Sequence, residues 1–242
     1  MSVNDAQRET LLSKHPHARF VDLRRASMNM DAKHAGVLAY AKALHYWQHR
    51  HGFCGVCGGP NLLRSSGHKL VCSNDECARQ TFPRIDPAII VLVTHGDACL
   101  LGRNAAWPAK RYSTLAGFVE PGESLEDAVV REVYEEARVR LTAMRYVSSQ
   151  PWPFPASAMC GFYAEAENRD CESSDEMEEL LWLNANELES AVLDGSVRLP
   201  PPVSIAFQLI ADWYRGRSGE SLEEVVAEAK KSAGAKVATF RG

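Results

Sequence analysis

The 242-residue sequence has no run of 18 or more apolar residues, so no segment is long enough to cross a bilayer as an apolar helix. Its start, Met1-Ser-Val-Asn-Asp5, lacks the basic stretch and apolar run of a secretory leader. Charge of one sign is also missing: 27 Lys and Arg against 31 Asp and Glu leave a net charge of −4. That excludes a broadly basic, nucleic-acid-coating surface, though not a local site. Cysteine is limited to seven residues, and a chain of this length can bury a core without disulfide staples; an odd number without a leader fits a reducing compartment. A cytoplasmic protein without membrane association is expected. What is present is ordinary globular material, 45% apolar and 24% charged. It is long enough to bury a core in one large domain or two smaller ones.

Four of the cysteines are grouped: Cys54, Cys57, Cys72 and Cys77. Two thiolate pairs on short loops suit tetrahedral Zn2+, and Gly55, Gly58 and Gly59 supply the tight turns such a loop needs. Four thiolates would fill the coordination sphere, making the ion structural. Four reduced thiols or two disulfides are the alternatives. Cys99, Cys160 and Cys171 are scattered and read as buried or incidental. His45, His49 and His51, near the cysteines, read as surface residues.

Along the chain, residues 1–31 carry mixed charge and only short apolar runs. Residues 32–50 read as a helix capped by Asp31, with Val37, Tyr40, Ala41, Leu44 and Trp47 at three- and four-residue spacings. The cysteine-bearing ribbon spans about 51–82. Ala88–Thr94 is a buried-strand pattern, and a turn at 95–97 leads to a second strand at 98–101. A strand at 113–119, a loop, a helix at 124–137 capped by Ser124, strands at 141–149, 158–167 and 180–183, and a helix at 203–215 follow. Residues 219–232 are weakly amphipathic.

The helix at 124–137 carries acidic residues where an amphipathic helix would not place them. Leu125, Ala128, Val129 and Val133 form its apolar stripe; Glu132 and Glu136 fall within or beside it, and Glu135 at its edge. Clustering such charges is costly unless cations offset them, and carboxylate oxygens suit Mg2+ or Mn2+. Arg131 stands next to them, able to orient one carboxylate through a bidentate bond. A solvated acidic face is the plainer alternative.

The segment from Gly117 to Val139 follows the pattern G-x5-E-x7-R-E-U-x-E-E-x-G-U, where U is a bulky aliphatic residue. It is met at Gly117, Glu123, Arg131, Glu132, Val133, Glu135, Glu136 and Val139, and the sequence resembles the Nudix hydrolase family. Arg138 stands at the pattern's second glycine, where a left-handed turn would cost arginine about 1 kcal/mol. Downstream, Ser149-Gln-Pro-Trp-Pro-Phe-Pro-Ala-Ser157 is a rigid, proline-fixed stretch presenting Trp152 and Phe154 as flat rings, or else a loop packed on its own core. After a Nudix segment, and with four cysteines ahead, it is similar to the signature of the NADH pyrophosphatase branch of that family.

The resemblance, covering about Arg25 to Trp213, implies an α+β fold. The expected architecture is a Nudix α/β/α sandwich with a mixed sheet (85–242), preceded by a zinc ribbon (51–84) and an N-terminal segment with a helix (1–50). It implies metal-dependent hydrolysis of the pyrophosphate of NADH, and of NAD+ or NAD-capped RNA, to AMP and nicotinamide mononucleotide. Mg2+ or Mn2+ ligands carry over to Glu132, Glu136, Glu179 and the carbonyl of Ala116. Glu135 carries over as ligand or base, Arg131 as orienting group, and Glu136 or Glu179 as general base. Substrate contacts carry over to Arg25, Phe82, Phe118, Gln150, Pro151, Trp152, Pro153, Phe154, Pro155, Ala156, Ser157 and Ala206. Phe82 stands where the family often has tyrosine, and Arg25 lies near a family arginine. Homodimers are typical of the family. Two other functions are kept beside this one: a Nudix enzyme acting on ADP-ribose or dinucleoside polyphosphates, and a nucleotide- or RNA-binding module whose Nudix domain is disabled by Arg138.

Overall fold

The computed structural model describes residues 4–239, with side chains to residue 232. Two units emerge: residues 1–85 together with 152–156, and residues 86–151 together with 157–242.

The first unit opens with α1 (Asp5–Lys14) and α2 (Leu23–Ser27), neither of which the sequence pattern revealed. No residue of either helix is buried, so neither carries an apolar stripe to recognise. Then comes α3 (Ala32–Arg50), capped by Asp31 as expected. Its expected apolar stripe is largely uncovered: Trp47 is buried, whereas Val37 and Tyr40 are exposed. Strands β1 (Asn61–Arg64), β2 (Lys69–Cys72) and β3 (Gln80–Thr81) form a small antiparallel sheet carrying the cysteines. Residues 1–85 contain twelve Lys and Arg but six Asp and Glu, a surplus of six positive charges, while the chain as a whole is at −4.

The second unit is built on a mixed sheet in the order β7-β8-β4-β5-β9, with β6 paired to β4. The strands are β4 (Asp86–His95), β5 (Ala98–Asn104), β6 (Leu115–Phe118), β7 (Leu141–Trp152), β8 (Ser157–Ala166) and β9 (Met177–Asn184). The expected hairpin is present, with Val93 opposite Leu100 and His95 opposite Ala98. Strand β4 runs parallel to β8, and side chains alternate across it. Ile89, Val91 and Val93 join one core with α4 (Leu125–Ala137); Ile90 and Leu92 join another with α5 (Ala185–Asp194), α6 (Ile205–Ser218) and α7 (Leu222–Thr239). Covered on both faces, the strand reads as an unbroken apolar run. The result is the expected α/β/α sandwich. Helix α5, unassigned from the sequence, starts at an Asn184–Glu187 capping box. Pro151 is tolerated because β7 is an edge strand.

Candidate active site

Helix α4 is fixed at both ends by its own sequence. The Ser124 side chain accepts a hydrogen bond from the backbone N–H of Asp127 at its start. At its end Arg138 adopts the left-handed conformation, φ 58°, that the family glycine would take, and its guanidinium lies 5.3 Å from the Tyr134 ring centre. The departure at position 138 therefore leaves the turn intact.

Between these ends the helix packs Ala128, Val129 and Val133 against β4 and β6, which forces Glu136 inward. Glu136 is 5% exposed. Burial, joined by repulsion from Glu132, Glu176 and Glu135, raises its pKa to about 8 from 4.5. The Ala116 backbone N–H, 3.3 Å from Glu136 Oε2, is its hydrogen-bond donor. Glu132 is half-buried and also raised by burial, while Glu135 is exposed. A Cβ at Gly117, on β6, would overlap the Glu132 carboxyl where it stands, so any side chain there would displace that carboxyl. The pattern's first glycine is thus a matter of space and not of backbone angle.

Arg131 holds the group together. Its Nε and Nη2 donate to the two Glu123 oxygens at 2.7 and 2.8 Å, so the bidentate partner is Glu123 on the preceding loop and not a carboxylate of the α4 group. Nη1 donates to Glu132 at 2.8 Å and Glu135 at 3.0 Å, and Nη2 also to the Phe118 carbonyl at 2.9 Å. The Glu123 pKa is pulled down to about 2 by Arg131. The guanidinium therefore ties the loop after β6 to the helix.

A cleft of about 460 Å³ lies over these carboxylates, lined by Glu132, Glu135, Glu136, Glu172, Asp175 and Glu176 among others. Glu179 is not among the lining residues. It accepts a hydrogen bond from Tyr112 Oη at 2.5 Å and stands opposite Arg103 on β5. Glu176, which sequence reasoning passed over, stands there instead and adds to the repulsion on Glu132 and Glu136. From sequence the acidic run 175–179 reads as a solvated patch, and only the resemblance singles out Glu179 within it. Like charges gathered on a buried carboxylate are the donor set a hard divalent cation requires.

Other expected contacts divide between the units. In the second, Phe118 is exposed and Ala206 is buried at the start of α6. Gln150 is engaged with its own chain: Nε2 donates to the Val203 carbonyl at 2.7 Å and Oε1 accepts from the Ile205 N–H at 2.9 Å, fixing the start of α6. In the first, Phe82 is exposed, and Trp152 and Phe154 meet edge to face at 5.2 Å across the buried Pro153. Pro155 follows a cis peptide bond, and Ala156 leads to Ser157 at the start of β8. The stretch after Gln150 is the end of a strand and a turn, not one extended segment. Arg25 is exposed on α2; its neighbour Arg24 lies over the two rings.

The four cysteine Sγ atoms all lie within 4.8 Å of one another, with Cys54 and Cys72 buried. The Cys54 thiol is lowered to about 7 by the backbone N–H groups of Cys57 and Val56. Burial pushes the Cys72 thiol up, so the case for a structural zinc ion rests on four convergent sulfur ligands.

Comparison with known proteins agrees with this geometry. Residues 84–200 match the NUDIX domain, 49–79 the NADH pyrophosphatase zinc ribbon domain, and 3–47 the NADH pyrophosphatase-like rudimentary NUDIX domain. The NAD-capped RNA hydrolase NudC of Stutzerimonas stutzeri is 40% identical over 205 residues, covering 84% of this chain and 71% of that one. NudC of Pseudomonas putida is 44% identical over 76% of this chain, and NAD-capped RNA hydrolase NUDT12 of Macaca fascicularis 38% over 78%. The chain spans 63% of the length of the former and 44% of the latter. A Nudix hydrolase crystal structure from Nitrosomonas europaea shares the fold, with TM-score 0.52 at 20% identity, covering 70% of this chain and 94% of that one.

Proposed function

We propose that this chain, which belongs to the Nudix family and to its NADH pyrophosphatase branch, cleaves the pyrophosphate of NADH and related NAD-ended substrates, giving AMP and nicotinamide mononucleotide. The observation that carries the reading is Glu136, a carboxyl buried among other carboxylates on α4 and held by the Ala116 N–H. Nothing in folding favours such a group; a cation-dependent reaction does.

Glu132, Glu136 and the Ala116 carbonyl would hold the divalent ion, with Glu176 the fourth ligand in preference to Glu179. Mg2+ or Mn2+ would neutralise phosphate charge and lower the pKa of bound water. Arg131 fixes Glu132 and the loop after β6, so the carboxylates need not reorganise as charge develops. A carboxylate of the group, Glu135, Glu136 or Glu176, takes the proton of the attacking water. Water oxygen joins one phosphorus, and the bridging oxygen leaves with the other phosphate. Trp152, Phe154, Phe82 and Phe118 offer ring surfaces for the base and nicotinamide. Zinc on Cys54, Cys57, Cys72 and Cys77 holds the ribbon.

The positive surplus of residues 1–85 favours a capped RNA end over free dinucleotide as the physiological substrate. The exposed apolar residues of α3, Val37, Leu38 and Tyr40, support a homodimer, and the thiol content supports the cytoplasm. The test is turnover with Mg2+ or Mn2+ of NADH, NAD+, NAD-capped RNA, ADP-ribose and a dinucleoside polyphosphate, with products identified by mass spectrometry. Preferential release of AMP and nicotinamide mononucleotide is expected. Equal or faster turnover of ADP-ribose would overturn the assignment, as would binding without turnover.

A further inference from the structure

The rings of Trp152 and Phe154 have a feature that hydrolysis does not require. Each is half-buried, and both lie against cations from the helical segment of the same unit. The Arg24 guanidinium is 5.3 Å from the Trp152 ring centre and 4.8 Å from that of Phe154. Lys42 Nζ, from α3, is 4.3 Å from the Phe154 centre. Among the described residues neither cation forms an ion pair with a carboxylate, so the ring faces are what each charge meets. Arg24 is itself placed by α2, whose cap, Asp22, accepts the Arg24 backbone N–H at 2.9 Å.

We propose that Arg24, assisted by Lys42, is a positioning residue that holds Trp152 and Phe154 in the pose the substrate's rings meet. The prolines at 151, 153 and 155 restrict the backbone of this tip but leave the ring torsions free. One guanidinium touching two rings set edge to face removes that freedom, and Lys42 holds the second ring. The inference rests on the reading that these rings meet the substrate. It assigns to α2 a role in substrate affinity rather than in bond cleavage, and it makes Arg24, not Arg25, the residue of that pair that matters to the tip.

The experiment compares the full-length, zinc-loaded protein with Arg24→Ala and Arg24→Lys. The Trp152 indole N–H signal, assigned by its loss in Trp152→Phe from among the five tryptophans, is followed by NMR without substrate. KM and kcat for NADH are measured in parallel. Arg24→Ala is expected to shift the indole signal and raise KM about tenfold, with kcat within twofold. Arg24→Lys, keeping the charge, is expected to restore KM to within about threefold. An unmoved indole signal, or a moved signal with unchanged KM, overturns the proposal. If the unsubstituted protein leaves NADH intact, the functional reading falls, while the indole signal still decides whether Arg24 holds the tip.

Discussion

Replacing Glu136 by glutamine should stabilise the metal-free protein while removing its activity. In the folded state the carboxyl titrates at about 8 against an ordinary value of 4.5. Between these values the folded protein binds the proton that the unfolded chain has released, so stability falls as pH rises through that window and the loss is complete above about 8. A shift of this size corresponds to a loss on the order of 5 kcal/mol. Glutamine keeps the shape, can still accept from the Ala116 N–H, and carries no charge to desolvate. Urea unfolding of the zinc-loaded protein in buffer without Mg2+ or Mn2+, from pH 5 to pH 9, should therefore show a downward slope that Glu136→Gln abolishes. At pH 9 the variant should be the more stable by several kcal/mol, and Mn2+ should remove the difference by stabilising only the unsubstituted protein. NADH turnover should fall at least a hundredfold. A variant with the original pH slope, or one less stable than the parent at pH 9, would refute the account of a carboxylate held in place for a cation.

Other consequences are equally concrete. Gly117→Ala puts a Cβ into the Glu132 carboxyl; kcat should fall about a hundredfold with circular dichroism unchanged, since small displacements at a site cost about that much. Glu123→Gln acts at the opposite end of the pH scale. The Glu123 pKa is lowered to about 2, so its stabilisation is present above 4.5 and lost as pH falls toward 2; the variant should lack that acid-induced loss in an unfolding titration. Arg138→Gly relieves a left-handed arginine and should raise the urea midpoint by the equivalent of about 0.5–1 kcal/mol without changing turnover. Cys54→Ser should release zinc, detected with a chromogenic chelator as loss of one equivalent per chain, and melt the β1–β3 sheet.

Much of the second unit was legible because local signals and global packing agree there. The unbroken apolar run at 89–93 announces a strand covered on both faces, and Ser124 with the stripe from Leu125 to Val133 announces α4. What was illegible had a different origin in each case. Helices α1 and α2 bury nothing and so leave no periodicity. The capping box formed by Asn184 and Glu187 is the readable local signal for α5. Glu176 lies in an acidic run, 175–179, that looks like a solvated patch, and no local pattern in that run marks which carboxylate faces the α4 cluster. Gln150 looked like a substrate hook, yet its carboxamide is taken up by Val203 and Ile205, partners 53 and 55 residues away that no local pattern shows.

The central claim is that the α4 carboxylates hold a divalent cation, and an electron paramagnetic resonance titration of Mn2+ addresses it directly. The unsubstituted protein should quench the signal of free Mn2+, and a Glu132→Gln, Glu136→Gln double variant should leave that signal free. Equal uptake of Mn2+ by both proteins would contradict the account.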